Sequence, residues 1–443
     1  MFKESTYQNK LLTAILALSF LLSAFYSFYF KIVPVVDAAA YDRIAQNIVN
    51  GNGYREDMSV DILHDYSISR VGPVYEYFLA VVFVIFGHSY QIVWIIQAFL
   101  HVLTVYLIYM LCLEVFPELE NRNKVALIAG AIFGFYPDLI EISSMLMGET
   151  LYLFFTCALI YLFFRYLDNQ SLRNLLSLSF VAGVSVLVRP PIILFLPILS
   201  YATYKKVGWS HLLSMAAIIL LVFTPWTIRN YSVFHVFMPF GTAGQLNFWI
   251  GNHPGSNGEQ EAGPVISDFI ASHAQTDIQI ESMKQFIAFL ASSPVEFLKL
   301  TLLRINKYFS ILRPMGFWFY TSGWRQWLFV LCSAVFSIIV SVLSLSGIIK
   351  LLGTLDEKVK YLFLFTFITP LLLFITVIET RYRFQIYPFL AIFAAYFVCT
   401  FQWGNRIEIK ILTGAFSAIM VNGLLDGLIN FSVFYSKIIQ HLR

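Results

Sequence analysis

The sequence predicts an all-α polytopic membrane protein, and two observations lead to that prediction. Hydrophobic residues occupy 58% of the 443 positions and charged residues only 12%, about half of the roughly 25% that is usual in soluble domains. Apolar runs of about 20 residues, long enough to cross a hydrocarbon core as helices, recur along the chain. The net charge of +3 is small, and the basic residues are scattered, which argues against a nucleic-acid partner.

About eleven spans are predicted. The first covers residues 11–30, an apolar run between two lysines. Because it is longer than the roughly 7 to 15 residues of a signal-peptide core, we expect an uncleaved span. The other predicted spans lie near residues 90–113, 124–137, 150–166, 173–188, 191–204, 210–227, 327–350, 361–378, 384–402 and 411–435.

The segment at 73–87, PVYEYFLAVVFVIFG, is short for a span and carries Glu76 near its start. These features favour an interfacial or re-entrant helix. If this segment does not cross, the short loops rich in Lys and Arg fall in the cytoplasm, as the positive-inside rule requires. The exception is ETRYRF at 379–384, which places Arg381 and Arg383 outside. We interpret these arginines as candidates for holding an external anionic group.

This orientation places the polar loops on the external face. It predicts an N-terminal transmembrane module at 1–227, a long external loop at 228–325 and a C-terminal transmembrane module at 326–443. Residues 295–313 of the long loop have apolar residues on one face, with Lys299, Arg304, Lys307 and Arg313 interspersed, which predicts a helix lying on the surface.

The first external loop carries Asp37 directly after the first span, in DAAAYDRIAQNIV. The apolar spacing predicts an amphipathic helix along the interface, ending at the turn signal NGNG. Asp37 is a good residue for capping such a helix. A partly desolvated carboxylate there, with a raised pKa, is also suited to act as a general base.

Further acids lie in DLIEISSMLMGE at 138–149. Glu149 directly precedes an apolar run, so a role at a helix N-terminus, where the dipole favours an anion, competes with a catalytic role. The same structural alternative applies to Asp138 and Glu141. The presence of two acidic loops on one face favours function.

Paired arginines suit phosphate oxygens, and Arg-x-Arg at 381–383 begins a predicted helix. The alternative is anchoring to lipid headgroups by Arg and Tyr. In the long loop, PWTIRNY and WIGNHPGSNG combine aromatic and hydrogen-bonding side chains, as carbohydrate-contacting surfaces do, while a membrane belt of aromatics is the alternative. The residues singled out in these two motifs are Arg229, Asn230, Trp249 and Asn252.

Metal and nucleotide motifs are missing from the sequence. The four cysteines fall within apolar runs without a CxxC pair, and the histidines show no HExxH spacing. No P-loop is present. We therefore predict no metal site and no cofactor, while dependence on a divalent cation stays open.

The order of several motifs resembles one known family. DAAAYDRIAQNIVNGNGY, SRVGPVYEYFLAVVFVIFG, YPDLIEISSMLMGETLYL, VLVRPP, PWTIRNY, WIGNHPGSNG and ETRYRFQIYPFLAIFAAY follow one another as in bacterial members of the dolichyl-phosphate-mannose protein mannosyltransferase family. That family has the C-type glycosyltransferase fold, as do lipid A aminoarabinose transferases. The resemblance implies this fold, with juxtamembrane helices in the first external loop.

The resemblance also implies residue roles. Asp37 matches the family's catalytic base, Glu149 its second acid, and Arg381, Tyr382 and Arg383 its arginine-tyrosine-arginine motif. We expect these three to hold the donor phosphate. The predicted substrate pocket comprises Tyr41, Asp42, Arg70, Arg229, Asn230, Trp249 and Asn252.

The resulting hypothesis is a membrane glycosyltransferase of the bacterial cytoplasmic membrane. It would move a sugar from a polyprenyl-phosphate donor to a hydroxyl of a cell-envelope glycan, lipid or protein on the extracytoplasmic face, with inversion. Two alternatives stay open at this point. One is a transporter or flippase of a lipid-linked sugar, and the other is a ligase that uses a lipid diphosphate donor.

Overall fold

The protein is described by a computed structural model covering residues 2–70, 72–260, 263–313, 324–353, 356–432, 434–435 and 439. These residues form helices and no β-strand, apart from one isolated bridge between Glu259 and Ile378. The first ten helices are α1 (Phe2–Phe30), α2 (Asp37–Val49), α3 (Pro73–Phe86), α4 (Tyr90–Val115), α5 (Arg122–Gly134), α6 (Pro137–Ile142), α7 (Glu149–Asp168), α8 (Leu172–Val188), α9 (Leu196–Val207) and α10 (Trp209–Phe234).

The remaining helices belong to the long loop and the C-terminal part. They are α11 (Ala243–Ile250), α12 (Pro264–Ser272), α13 (Ile278–Ser292), α14 (Pro294–Phe309), α15 (Trp324–Leu351), α16 (Glu357–Ile368), α17 (Leu371–Ile375), α18 (Tyr387–Thr400) and α19 (Arg406–Ile429). Short 3-10 helices cover Tyr66–Ser69, Pro190–Phe195 and Thr380–Ile386.

Eight described helical segments are long and apolar enough to cross a membrane, or nine if the bent pair α13–α14 counts as one span. Each predicted span overlaps at least one helix, and the one at 361–378 is divided between α16 and α17. The helices α5, α8 and α9, however, have only 13, 17 and 12 residues. The all-α polytopic fold is thus confirmed, and the count of eleven stays a prediction.

The helix α3 has 14 residues, which corresponds to a length of about 21 Å. This is shorter than the roughly 30 Å of a hydrocarbon core, in agreement with a segment that does not cross. The predicted module boundary at residue 227 stays a prediction, and α10 continues past it to Phe234. Pro225 lies inside this helix without ending it, since membrane helices tolerate proline where other groups satisfy the freed carbonyl.

The core lies among α4, α5, α7, α15 and α18, which pack against one another in pairs. Helices α15 and α18 approach closely at Gly347, where an added Cβ would lie 2.1 Å from the carbonyl oxygen of Phe393. Small residues allow such close packing between membrane helices. This packing fixes the start of α18, and with it the 380–386 turn that precedes it.

The long loop forms a second, smaller core from α11 to α14 around Trp249 and Leu300. Val377 belongs to this core, and the backbone of Ile378 donates to Gly258 and accepts from Gln260 at 3.0 and 3.1 Å. The loop is therefore attached directly to the segment that leads into the 380–386 turn.

The predicted surface helix at 295–313 is observed as α14, but it does not lie wholly on the surface. Lys299 is exposed, whereas Arg304 and Lys307 are buried. Arg304 donates to the carbonyl oxygen of Phe374 at 3.0 Å and to Asn252 Oδ1 at 2.7 Å. The basic residues on this face thus join the loop to the transmembrane part.

Candidate active site

Asp37 and Arg381 meet, although 344 positions separate them in the chain. Asp37 Oδ2 lies 2.6 Å from Arg381 Nη2. Nε of the same arginine lies 2.7 Å from Glu379 Oε2 and 3.9 Å from Glu149 Oε1. One guanidinium is therefore shared by three carboxylates from three separate parts of the chain.

On its other side, Asp37 is held by Arg70. Arg70 Nη1 lies 2.8 Å from Asp37 Oδ1, and its Nε and Nη2 donate to both oxygens of Glu56 at 2.8 Å. Arg43 also binds Glu56, at 2.6 Å. These contacts tie α2 to the connection before α3.

Glu149 begins α7, as predicted, and its strongest partner is Arg189. The two side chains are buried, with Nη1 and Oε1 3.1 Å apart. The guanidinium of Arg189 lies 5.4 Å from the ring centres of both Tyr152 and Tyr382. Since Arg381 lies 5.8 Å from the same Tyr382 ring, this tyrosine contacts two guanidiniums. We call the whole set the Asp37 network, and its members are Asp37, Arg43, Glu56, Arg70, Glu149, Arg189, Glu379, Arg381 and Tyr382.

The electrostatics of Asp37 differ from the prediction. Burial acts to raise the pKa of Asp37, but the guanidiniums of Arg381 and Arg70 together hold it below its ordinary value. The expected raised pKa is therefore wrong for this state, because sequence alone does not show two cations beside the carboxylate. Asp37 is the first residue of α2, and Val36 stands at the N-cap; the oxygens of Asp37 bind the arginines.

Local strain accompanies this arrangement. The residue before Asp37 is Val36, with φ of 48°, a left-handed conformation that is unfavourable for a β-branched side chain. Such strain is retained where surrounding contacts impose it. The turn directs the chain from α1 into α2, so that Asp37 faces the arginines.

Tyr41 and Asp42, both predicted for the substrate pocket, point in different directions. Tyr41 follows Asp37 by four positions, about 40° around a helix, and its buried ring lies 5.5 Å from that of Tyr75. Asp42 is about 140° away from Asp37. Its oxygens bind His88, Tyr90 and Gln46 at 2.7, 2.9 and 2.8 Å, so the structure places Asp42 outside the Asp37 network.

Arg229 and Asn230 lie in the last turns of α10, and their side chains donate hydrogen bonds to backbone carbonyl groups. Arg229 Nη2 donates to the carbonyl oxygen of Tyr54 at 2.8 Å, and Asn230 Nδ2 donates to that of Met238 at 2.9 Å. Among the described residues, neither side chain forms a hydrogen bond or ion pair with a member of the Asp37 network. Their predicted place in the substrate pocket stays a prediction.

Trp249 and Asn252 lie inside the second core and not on a carbohydrate-contacting surface. Trp249 is buried beside Phe269, with ring centres 6.2 Å apart. Asn252 is fully buried and donates to the carbonyl oxygens of Phe248 and Ile375 at 2.8 and 3.0 Å. Both residues hold the long loop together, which their polar neighbours in sequence did not indicate.

Arg383 does not accompany Arg381. In a 3-10 helix with three residues per turn, positions two apart point about 120° from each other. Arg383 donates to the carbonyl oxygens of Ser310 at 2.6 Å and of Arg313. It borders a second set of ion pairs, which we call the Glu259 network: Glu259, Lys307, Arg313 and Asp426.

Asp138 and Glu141 are buried in α6. Asp138 accepts hydrogen bonds from Ser333 and Tyr387. Neither acid forms an ion pair with a described member of the Asp37 network. They are part of the helix packing around α6.

Some members of the Asp37 network were not singled out from the sequence as site residues. Arg189 and Glu379 stand inside the quoted motifs VLVRPP and ETRYRF, so a charge next to an apolar run was an available signal. Glu56 gave no such signal. In the described part of the chain, no three His, Cys, Asp or Glu side chains are grouped to hold a metal ion.

Comparison with known proteins agrees with this fold. Residues 70–228, about a third of the chain, match the profile of the family described as dolichyl-phosphate-mannose-protein mannosyltransferase. The matched segment includes Glu149 and Arg189, but not Asp37 or Arg381. A comparison with curated proteins gives no significant match.

Among solved structures, the chain is similar to the oligosaccharyltransferase of Archaeoglobus fulgidus, crystallised with Zn and sulfate. The TM-score is 0.51 at 16% identity, over 93% of this chain and 52% of that one. Two further similarities are weaker. AglB of the same organism, in complex with an inhibitory peptide and a dolichol-phosphate, has a TM-score of 0.49 at 13% identity, covering 96% and 56% of the two chains. ArnT from Cupriavidus metallidurans, bound to undecaprenyl phosphate, has 0.40 at 13% identity, covering 89% and 78%.

The chain thus spans about half the length of the oligosaccharyltransferases it matches. The structural similarity shows a fold shared with the oligosaccharyltransferase of Archaeoglobus fulgidus. The predicted resemblance is confirmed over residues 70–228, which match the dolichyl-phosphate-mannose-protein mannosyltransferase family.

Proposed function

We propose that this protein transfers a sugar from a polyprenyl-phosphate donor to an acceptor hydroxyl at the extracytoplasmic face of the membrane. One observation carries the proposal, the 2.6 Å contact between Asp37 and Arg381. It brings together a carboxylate that can accept a proton and a guanidinium that can bind a phosphate. Both groups are needed within a few ångströms of the same anomeric carbon.

The donor phosphate would bind Arg381, with Arg70 and Arg189 as the neighbouring cations. Guanidiniums bind phosphate oxygens in paired hydrogen bonds. Arg381 is already shared by several carboxylates, so a phosphate would compete with Asp37 for it. When Arg381 turns to the phosphate, Asp37 loses an opposite charge and its pKa rises. Donor binding would in this way convert an ion-paired carboxylate into a stronger base.

The transfer is then a single displacement. The acceptor oxygen forms a bond to the anomeric carbon while the bond from that carbon to the phosphate oxygen breaks. The acceptor proton passes to Asp37, and the electron pair leaves with the polyprenyl phosphate. Attack opposite to the leaving group inverts the anomeric configuration. Arg381 stabilises the negative charge that develops on the leaving phosphate.

Glu149 would orient the acceptor or the sugar. Its ion pair with Arg189 at 3.1 Å and the contact of Arg189 with two tyrosine rings hold its position. Tyr41 and Tyr382 would provide the adjoining aromatic walls. Arg383, which donates to two backbone carbonyls, is assigned to holding the 380–386 turn and not to the phosphate.

The location follows from the distribution of basic loops. The predicted orientation in the bacterial cytoplasmic membrane puts the Asp37 network outside, where the polyprenyl tail of the donor would lie in the bilayer. The acceptor would be a cell-envelope glycan, lipid or protein carrying a free hydroxyl.

The test is transfer by the purified protein in nanodiscs. Radiolabelled polyprenyl-phosphate monosaccharides would be supplied with an extract of cell-envelope acceptors. We expect label to move to an acceptor with wild-type protein, and Asp37→Asn to lower the rate about 10²- to 10⁴-fold, the usual contribution of a general base. Asp42→Asn is the matched control, since Asp42 lies on the same helix but binds His88 and Tyr90; it should retain most activity.

Three outcomes would contradict the proposal. Full activity of Asp37→Asn would remove the base assignment. Donor binding without consumption, in the presence of every acceptor fraction, would favour transport of the lipid-linked sugar. Consumption of a lipid diphosphate oligosaccharide alone would instead identify a ligase.

A further inference from the structure

Glu76 is a buried carboxyl group that the reaction described above does not use. It lies in the first turns of α3 with no exposed surface. Within the described part of the chain, neither of its carboxyl oxygens accepts a hydrogen bond of normal geometry. Tyr54 acts on this carboxyl through an imperfect hydrogen bond, and Arg70 and Asp37 act on it through their charges; no ion pair with Glu76 forms in the described chain.

The lack of a hydrogen bond of normal geometry is unfavourable for folding. A buried polar group without such a hydrogen bond destabilises the folded state, and an apolar side chain of similar size would avoid that cost. Burial raises the pKa of Glu76 to about 8, so the carboxyl carries its proton at neutral pH. A protonated carboxyl can donate one hydrogen bond and accept others.

Glu76 lines a pocket that opens beside the Asp37 network. Tyr41, Tyr75, Glu149 and Arg189 line the same pocket. Its empty volume, including open solvent at the mouth, is about 270 Å³, and its interior admits about one water-sized group. The interior therefore has room for one hydroxyl group of a sugar, not for a whole ring.

The remaining walls of the pocket suit a sugar. The rings of Tyr41 and Tyr75 stand edge to face at 5.5 Å and offer apolar surface to C–H groups, while Glu149 and Arg189 offer hydrogen-bonding groups. At Gly72 the pocket wall is backbone, and an added Cβ would lie 2.3 Å from the carbonyl oxygen of Leu187. Ligand sites are commonly built from apolar walls with a few convergent polar groups.

We propose that this pocket is a sugar subsite, in which the carboxyl of Glu76 exchanges hydrogen bonds with a hydroxyl of the substrate. The proposal rests on the proposed glycosyl transfer and adds a residue that selects the sugar. The hydroxyl belongs either to the transferred sugar or to a sugar of the acceptor, which share this chemistry. Such a hydroxyl would give the carboxyl of Glu76 a hydrogen bond of normal geometry, which no described side chain supplies.

The test compares Glu76→Leu with Glu76→Gln in the transfer assay and in thermal unfolding. Leucine removes the hydrogen bonds, so we expect kcat/KM to fall roughly tenfold or more. The amide of glutamine can still donate and accept, so that variant should stay within about threefold of the wild type. The unfolding temperature of Glu76→Leu should be equal to or above that of the wild type, because an unpartnered carboxyl is removed.

A matched control is available in α6. Glu141 is equally buried and its carboxyl oxygens also lack a hydrogen bond in the described chain, but it does not line the pocket. Glu141→Leu should leave kcat/KM unchanged. A higher KM for the donor in Glu76→Leu would assign the hydroxyl to the transferred sugar, and a higher KM for the acceptor would assign it to the acceptor.

Unchanged KM values for donor and acceptor in Glu76→Leu would overturn the subsite while leaving glycosyl transfer intact. If the wild type transfers no sugar, the proposed function fails, and the subsite is then tested by ligand binding alone. A glycosylated polyprenyl phosphate should then stabilise the wild type against heating more than sugar-free polyprenyl phosphate does, and Glu76→Leu should abolish that difference. Equal stabilisation of the wild type by both lipids would count against the subsite.

Discussion

The Asp37 network and the Glu259 network lie on opposite sides of the 380–386 turn, and they differ in how their charges are paired. In the Glu259 network, Arg313 binds both oxygens of Asp426, at 2.7 and 2.9 Å, and Asn430 donates to one of them at 2.8 Å. In the Asp37 network, Arg381 is divided among several carboxylates. In the first arrangement both oxygens of Asp426 are paired. In the second, Arg381 is shared among carboxylates, so a phosphate could compete with them for it.

The difference teaches that number of charges alone does not identify a site. Both networks contain basic and acidic side chains that are largely buried. A bidentate pair with each carboxylate oxygen satisfied holds two elements in place, here the end of the long loop and α19. A guanidinium with competing partners beside an open pocket is suited to exchange one of them for a ligand.

The largest expected effect separates the two arginines of the turn. Arg381→Ala should lower kcat/KM about 10²- to 10³-fold, the usual loss when one charge-stabilising donor is removed. Arg383→Ala should change kcat/KM by less than about threefold, but lower the free energy of unfolding by roughly 1–3 kcal/mol, because two carbonyl groups lose their donor. Steady-state kinetics and denaturation of both variants in the same detergent give these values. An equal fall in kcat/KM in both variants would show that Arg381 and Arg383 belong to the same site.

A somewhat smaller effect is expected in the Glu259 network. Asp426→Asn breaks a buried ion pair and leaves Arg313 with Glu259 as its remaining carboxylate partner in the described chain, which should destabilise the protein by about 1–3 kcal/mol. The folded fraction should keep the wild-type kcat. Active-site titration gives the concentration of active protein for kcat, and thermal unfolding gives the loss of stability. A fall in kcat without loss of stability would place this network in the reaction.

The smallest effect concerns pH. Arg381 and Arg70 lower the pKa of Asp37 against the effect of burial. In the free protein this carboxylate is therefore ionised at any pH above the ordinary aspartate pKa, near 4. The acid limb of kcat/KM should therefore lie below about pH 4, and Arg70→Gln should move it upward. The same shift means that the folded state gains stability above the unfolded pKa of Asp37 and loses it as pH falls through the folded pKa.

The pH prediction can be checked with Asp37→Asn. Stability of that variant should depend less on pH below about 4 than stability of the wild type. An acid limb that does not move in Arg70→Gln would indicate that Arg70 does not control the charge of Asp37.

Much of the site could be found from sequence because its residues stand where apolar runs end. Asp37, Glu149 and Arg381 follow or precede predicted spans, where a charged residue is conspicuous. Glu76 was noticed only as an argument against a span. The role proposed for Glu76 depends on which side chains surround α3, and the residues next to Glu76 in the sequence do not show this.

Composition and the lengths of the apolar runs by themselves determined the membrane class and the positions of the helices, because a bilayer requires long apolar segments with internal backbone hydrogen bonds. Only the tertiary structure decided which charges meet. Asp37 and Arg381 come together through the packing of α18 against its neighbours and the strained turn at Val36. Arg381 and Arg383, two positions apart, are separated by the rotation of a 3-10 helix, since side-chain direction is a property of backbone geometry and contacts.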